Sequence, residues 1–176
     1  MKTRDMTATA LMAALICVAG PLSVAVGPIP LSLASFAVYL AGAILGWKRG
    51  SLAVLLYLLI GLAGVPVFSG FSGGFQKLIG VTGGYLAGYL PCAILTGLFA
   101  GSPEDGAPRG IWRLAAGMAL GTAALYIVGT AWFMLQTKNP LGAALGMCVL
   151  PFLPGDAIKI AAACLITAPV RKAIFR

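Results

Sequence analysis

Residues 33–76 read "LASFAVYLAGAILGWKRGSLAVLLYLLIGLAGVPVFSGFSGGFQ", and the way this stretch divides decides the fold. Two apolar runs, 33–46 and 51–65, flank the basic tetrapeptide "WKRG", and a loop rich in glycine, serine and phenylalanine follows at 66–76. Hydrocarbon offers a backbone no hydrogen-bond partners, so runs this apolar are expected to cross a bilayer as helices that satisfy their own amides. The basic tetrapeptide is then a short connection at one membrane face.

The same reading extends over the whole chain. Of 176 residues, 60% are hydrophobic and 9% charged, and the mean hydropathy is +1.01. Soluble domains carry about 25% charged residues. Each span needs about 20 residues, so this length fits an all-α polytopic membrane protein with about six transmembrane helices in one compact bundle. We place them at about 6–26, 33–46, 51–65, 77–100, 111–135 and 153–174, within a single integral membrane domain over 1–176. The breaks between them are "GPIPLS" (27–32), the glycine-rich loop, "SPEDGAPRG" (102–110), "TKNP" (137–140) and "PFLPGD" (151–156). The first run follows Lys2 and Arg4 as a signal peptide's would, but the many later spans mark it as a retained helix.

Net charge is +8. In a soluble protein that would suggest nucleic acid, but here the cations cluster at helix ends, which points to topology signals and contact with the lipid bilayer, not nucleic acid. With the N-terminus inside, Lys2, Arg4, Lys48, Arg49, Arg109, Arg113, Arg171, Lys172 and Arg176 fall on the cytoplasmic side. Only Lys77 and Lys138 fall outside, and Lys159 belongs to neither set. Lys and Arg enrich cytoplasmic loops, so both termini are expected there. "GPIPLS", the glycine-rich loop and the "PFLPGD" break then all emerge externally. Irregular backbone at membrane depth is tolerated where it lines a cavity, which implies an outward-facing pocket.

Asp156 and Lys159, in "PGDAIK", are the expensive residues: a charge at membrane depth costs about 2.5–3.5 kcal/mol on insertion scales. A spacing of three puts both on one helical face, where they can pair with each other. Asp156 also lies at a helix N-terminus, which favours an anion. A carboxylate accepting N–H donors beside an ammonium donating to a carbonyl complements a urea or amide. Tyr85, Phe71 and Phe75 could supply apolar walls and a phenol. The bland alternative is an ion pair that only holds the helix break.

Gly70, Ser72 and Gly74 match the spacing of a nucleophile elbow. A serine nucleophile needs a base, and the chain has no histidine. Lys77 is the sole nearby substitute, so an intramembrane serine hydrolase is kept only as a rival, and no enzyme is expected. Cys17, Cys92, Cys148 and Cys164 stand singly in apolar runs, as small core residues do. No metal and no cofactor are expected, and the absence of a Walker sequence leaves ATP to other subunits. Small residues recur every four positions, as in Gly80, Gly84 and Gly88, Gly42 and Gly46, Gly97 and Gly101, and Gly117 and Gly121, a spacing that allows close helix approach. Ala10 and Ala14 repeat it on the first helix and could instead receive another subunit.

In order along the chain, "GPIPLSL", "LAGAILGWKRG", "GLAGVPVFSGFSGGF", "TGGYLAGY" and "LPFLPGDAIK" resemble the BioY family, the biotin-specific S components of energy-coupling-factor (ECF) transporters. The likeness covers about residues 5–175. It implies an S-component bundle of six helices in a prokaryotic plasma membrane, with an outward-opening biotin pocket and biotin uptake as the function. It also implies partners: a transmembrane T component that docks on the Ala10 and Ala14 face, and two ATPase subunits. By analogy Asp156 and Lys159 bind the ureido ring. Phe71, Ser72, Gly73, Gly74 and Phe75 of the glycine-rich loop, with Tyr85 of "TGGY", hold the valerate tail, Ser72 donating to its carboxylate. The first loop, with Leu31 and Ser32, closes over the ligand. Some members carry Arg directly after "GGY" where this chain has Leu86, which leaves Lys77 as the candidate partner of the carboxylate. Ala34 stands where many members have Gln, and Val81 where Pro is frequent. A solitary vitamin facilitator working without ATPases would read the same way in sequence.

Overall fold

A computed structural model describes residues 3–25, 29–105 and 108–175. Lys2 and Arg176 of the charge count, Val26 of the first expected span, and Gly27 and Pro28 of the first loop lie outside the described residues.

Helix α1, Thr3–Ala19, ends before Gly20 and Pro21. Proline has no N–H to give a helix, and a Cβ on Gly20 would lie 2.2 Å from the Val67 carbonyl oxygen. The chain turns instead into an antiparallel hairpin, β1 (Ser23–Ala25) against β2 (Pro30–Ser32), with Val24 opposite Leu31. The expected first span over 6–26 is therefore displaced: it starts and stops earlier, and its last residues belong to a strand.

The two expected runs at 33–46 and 51–65 form one helical stretch, α2, Ala34–Leu62, interrupted at Gly46 (φ 76°, ψ 176°). That φ favours glycine. In an unbroken helix Ala41 and Gly50 would be about 13 Å apart. Instead a Cβ on Gly50 would lie 2.7 Å from the Ala41 carbonyl oxygen. α2 thus folds back at Gly46 into two antiparallel arms, with "WKRG" at the bend.

The expected helix over 77–100 is divided. α3 (Phe75–Ile79) is a single turn and a half, and α4 (Gly83–Ala100) begins after Gly80, Val81 and Thr82. α5 (Ile111–Thr137) is continuous, while α6 (Leu141–Cys148) and α7 (Leu153–Phe175) meet at a bend of 48° spanning Pro151. By length and composition three helices can cross a membrane, or four if α6 and α7 make one broken span. That number is lower than the expected six for two physical reasons. α2 is one run with two arms, and α1, at 17 residues, is shorter than the about 20 that crossing needs.

The bundle core lies among α2, α4 and α5. Between helices in hydrocarbon no hydrophobic force acts, so close van der Waals packing holds them. Gly42 would bring a Cβ within 2.6 Å of the Ala93 carbonyl, and Gly97 within 2.3 Å of the Trp47 amide, so both positions need hydrogen there. Ala10 and Ala14 face outward from α1.

The two ends differ. At one, Arg49 pairs with Asp5 at 2.8 Å and with Glu104 at 3.6 Å. Arg4 stacks over Phe175 at 5.2 Å, so the first and last helices meet there. Arg171, counted from sequence among the cytoplasmic topology charges, is fully buried at this end. It donates to the carbonyls of Ala43 (2.7 Å), Ala100 (3.2 Å), Gly101 (3.0 Å) and Ser102 (3.3 Å). These carbonyls close the first arm of α2 and α4, where the helix dipole is negative and amide donors are missing. The opposite end carries the β hairpin, the glycine-rich loop and the α6–α7 bend.

Candidate functional site

Asp156 and Lys159 lie one turn apart at the start of α7, 5% and 9% exposed. Their ion pair spans 3.0 Å, from Lys159 Nζ to Asp156 Oδ1. The ammonium gives its other protons to the Ser32 carbonyl at 2.9 Å and to Ser35 Oγ at 3.0 Å. Ser32 is itself fixed, because its hydroxyl donates to the Gly20 carbonyl and accepts from the Ala34 amide. From α5, the Tyr126 hydroxyl donates to Asp156 Oδ2 at 2.5 Å.

An ammonium has three protons, and all three of these point at protein acceptors. The carboxylate has about four acceptor positions: Oδ1 accepts from Lys159 and, at 3.5 Å, from Ser35, while Oδ2 accepts from Tyr126 alone and leaves room for a further N–H donor. A ligand can therefore donate to Asp156 directly. To accept from Lys159 it must first displace Ser32 or Ser35. Burying one charge without the other would be costly, and the pairing together with the serine and tyrosine bonds offsets that cost.

Beside this network are two adjoining cavities of about 50 and 30 Å³. Both have Ser32, Tyr85 and Tyr89 in their walls. The larger also touches Leu31, Ser35, Tyr126, Phe152, Asp156 and Lys159. The smaller runs toward Tyr57, Ser69, Thr82 and Leu86. Drug-sized ligand pockets occupy about 300–1,000 Å³, so the walls of this small site must separate to admit such a molecule.

Tyr85 is positioned by its surroundings. Its hydroxyl donates to the Cys148 carbonyl at 3.1 Å and lies 3.4 Å from Thr130 Oγ1. A Cβ on Gly129 would lie 2.6 Å from the tyrosine ring, so glycine opens the space the ring occupies. The hydroxyl of Tyr89 has no hydrogen-bond partner among the described residues, and its ring borders both cavities.

Of the residues singled out by sequence, Leu31, Ser32, Tyr85, Asp156 and Lys159 come together here. Phe71, Ser72, Gly73, Gly74, Phe75 and Lys77 do not line either cavity. Phe71 and Phe75 are 70% and 63% exposed. Gly73 packs on the Val65 carbonyl instead. Ser72 forms a tight bridge with Phe68 and gives its hydroxyl to the Ser69 carbonyl at 2.8 Å, so its partner is backbone, not a base. The loop is shaped by Phe68, which is fully buried and stacks edge-on against Tyr57 at 5.5 Å, turning the aromatic residues that follow outward.

Sequence reasoning missed Ser35, Tyr126 and Tyr89, while Ser69 and Thr82 fall within the "SGFSGGF" and "TGGY" segments assigned to the tail without being singled out. A signal existed for Ser35 and Tyr126. Thr122, Tyr126 and Thr130 repeat a polar group every four residues along an otherwise apolar α5, and Ser35 follows Ser32 by one turn. Polar groups aligned on one face of a span turn toward the protein interior.

A sequence model of the BioY family matches residues 1–176. The chain is 38% identical over 170 residues to a biotin transporter BioY of Thermotoga maritima, covering 96% of each chain. It is 37% identical over 166 residues to a probable biotin transporter BioY of Pyrococcus horikoshii, covering 94% of this chain and 95% of that one. In three dimensions it resembles the crystal structure of the S-component for biotin from an ECF-type ABC transporter. The TM-score there is 0.87 at 29% sequence identity, over 99% of this chain and 97% of that one.

Proposed function

The chain belongs to the BioY family, and from that premise we propose that it is a membrane-embedded subunit that captures biotin and delivers it with an ATP-driven partner module. The observation that carries the reading is the buried Asp156 and Lys159 pair set against a cavity walled by Tyr85, Tyr89 and Tyr126. Biotin's ureido ring presents N–H and C=O groups side by side. Its N–H groups donate to the open position on Asp156 Oδ2 and to Oδ1 once Ser35 moves away, and its carbonyl takes a proton of Lys159 released from Ser35 or Ser32.

The valerate tail follows the smaller cavity past Tyr85, Tyr89 and Leu86. Its carboxylate then meets the Ser69 and Thr82 hydroxyls at the N-terminus of α4, where backbone amides favour an anion. This replaces Lys77 and Ser72 as the expected partners. The hairpin wall carrying Leu31 and Ser32 opens for entry and closes over the bound ring.

The orientation we adopt puts the basic end, with both termini, in the cytoplasm and the site toward the outside of a prokaryotic plasma membrane. The outward α1 face at Ala10 and Ala14 receives the T component of an ECF module, whose two ATPases supply the energy this polypeptide has no motif to harvest. The protein itself binds and releases without catalysis.

Calorimetry on the purified chain tests the ligand. Biotin should bind in the absence of partner subunits, and among a panel of vitamins it should give the largest thermal stabilisation. A different vitamin stabilising more strongly would overturn the assignment.

A further inference from the structure

A cavity at the basic end does not belong to the biotin site. It occupies about 550 Å³ at the basic end, between the bend of α2 and the end of α4. That volume is within the about 300–1,000 Å³ range of ligand pockets.

Its chemistry is uneven. Lys48, Arg49 and Arg109 bring three cations to the wall and Glu104 one carboxylate. Arg49 is committed to Asp5 and Glu104. Neither Arg109 nor Lys48 has an acidic partner among the described residues, and the Lys48 ammonium lies over the face of Trp47, at 5.3 Å. The side chain of Arg109 lies across Gly101, whose missing Cβ would meet its Nε at 2.7 Å, so the guanidinium is held over the cavity. Beneath it the carbonyls that end α4 would repel an anion, but Arg171 has already taken those of Ala100, Gly101 and Ser102. The floor is neutralised from inside while two cations remain unpaired at the mouth.

The rim is apolar. Trp47 and Leu98 line the same cavity and are 44% and 48% exposed on the bundle's outer surface. Tryptophan favours the level where headgroups meet acyl chains. A basic recess at that level with a hydrocarbon-facing lip has the charge and polarity of a phospholipid site.

We propose that this cavity seats the phosphodiester headgroup of an acidic phospholipid, held by Lys48 and Arg109, with its acyl chains against Trp47 and Leu98. The site is independent of the biotin pocket, at the far end of α7. Because Arg49 bridges Asp5 of α1 and Glu104 after α4 beside the same recess, the lipid reinforces the joint between the first helix and the core.

The test uses the purified full-length chain and native mass spectrometry with phosphatidylglycerol and phosphatidylcholine. Wild type should retain phosphatidylglycerol in preference. The double variant Lys48→Gln, Arg109→Gln should lose roughly thirtyfold in phosphatidylglycerol affinity, since each surface cation contributes on the order of a factor of five. Phosphatidylcholine retention and thermal stabilisation by biotin should stay unchanged. The control variant Arg113→Gln, Lys172→Gln removes the same charge from the same end outside the cavity and should keep the lipid. Equal loss in both variants, or no loss in the first, would overturn the proposal. Displacement of the lipid by inorganic phosphate at similar concentration would assign the site to a free anion and overturn the lipid.

Discussion

Tyr126 and Lys159 hold opposite oxygens of one carboxylate, that of Asp156: the phenol at 2.5 Å on Oδ2 and the ammonium at 3.0 Å on Oδ1. Asp156 is thereby oriented from α5 and from its own helix at once.

Replacing Asp156 with Asn should abolish measurable biotin binding by calorimetry and lower stability. Removing one partner of a buried ion pair costs about 3–5 kcal/mol because the other charge is left uncompensated. Combining it with Lys159→Met should restore the thermal midpoint in detergent but not the binding. Retained binding in the double variant would remove the pair from the site.

Tyr126→Phe deletes only the hydroxyl. A hydrogen bond to a charged group is worth about 1.5–3 kcal/mol, and the variant's unfolding midpoint should drop accordingly while its helical content stays constant. A weaker biotin affinity should accompany it, because the carboxylate becomes free to rotate.

Gly129→Ala puts a methyl where the Tyr85 ring lies, 2.6 Å away. The ring must swing and release the Cys148 carbonyl, so affinity should fall by roughly tenfold or more, the worth of about one hydrogen bond plus repacking. Gly142→Ala, at a position with open space, should leave affinity as it is.

Phe71 holds φ 54° with 70% of its surface exposed. A non-glycine residue in that region carries strain of order 1–3 kcal/mol, partly offset in any glycine variant by the entropy of the unfolded chain. Phe71→Gly should therefore be neutral or stabilising in a thermal melt, and biotin affinity should not change. A marked loss of affinity would return this loop to the ligand.

Ala10→Trp or Ala14→Trp should leave biotin binding intact, because both side chains face outward from α1. Co-purification with the T component should be lost, since a bulky ring blocks close helix approach.

What could be read from the chain depended on how costly each residue is where it stands. Asp156 and Lys159 were legible because two charges in an apolar run demand compensation. Ser35 and Tyr126 were less so, because a hydroxyl in a span costs little and gives no comparable alarm. The reversal at "WKRG" was visible as a basic break between apolar runs. The β hairpin was not, since three-residue strands carry no usable period. The glycine-rich loop was recognisable as a turn, but its direction is fixed by Phe68 packing on Tyr57, a contact that local sequence does not encode. Arg171 misled for the opposite reason: a cation near a terminus usually meets water, and here the ends of two helices claim it.

Lys159 is never left naked. Its three protons rest on Ser32, Ser35 and Asp156, so the protein insulates that charge with its own atoms. Arrival of a guest at this ammonium would be an exchange of partners, not the first burial of an ion.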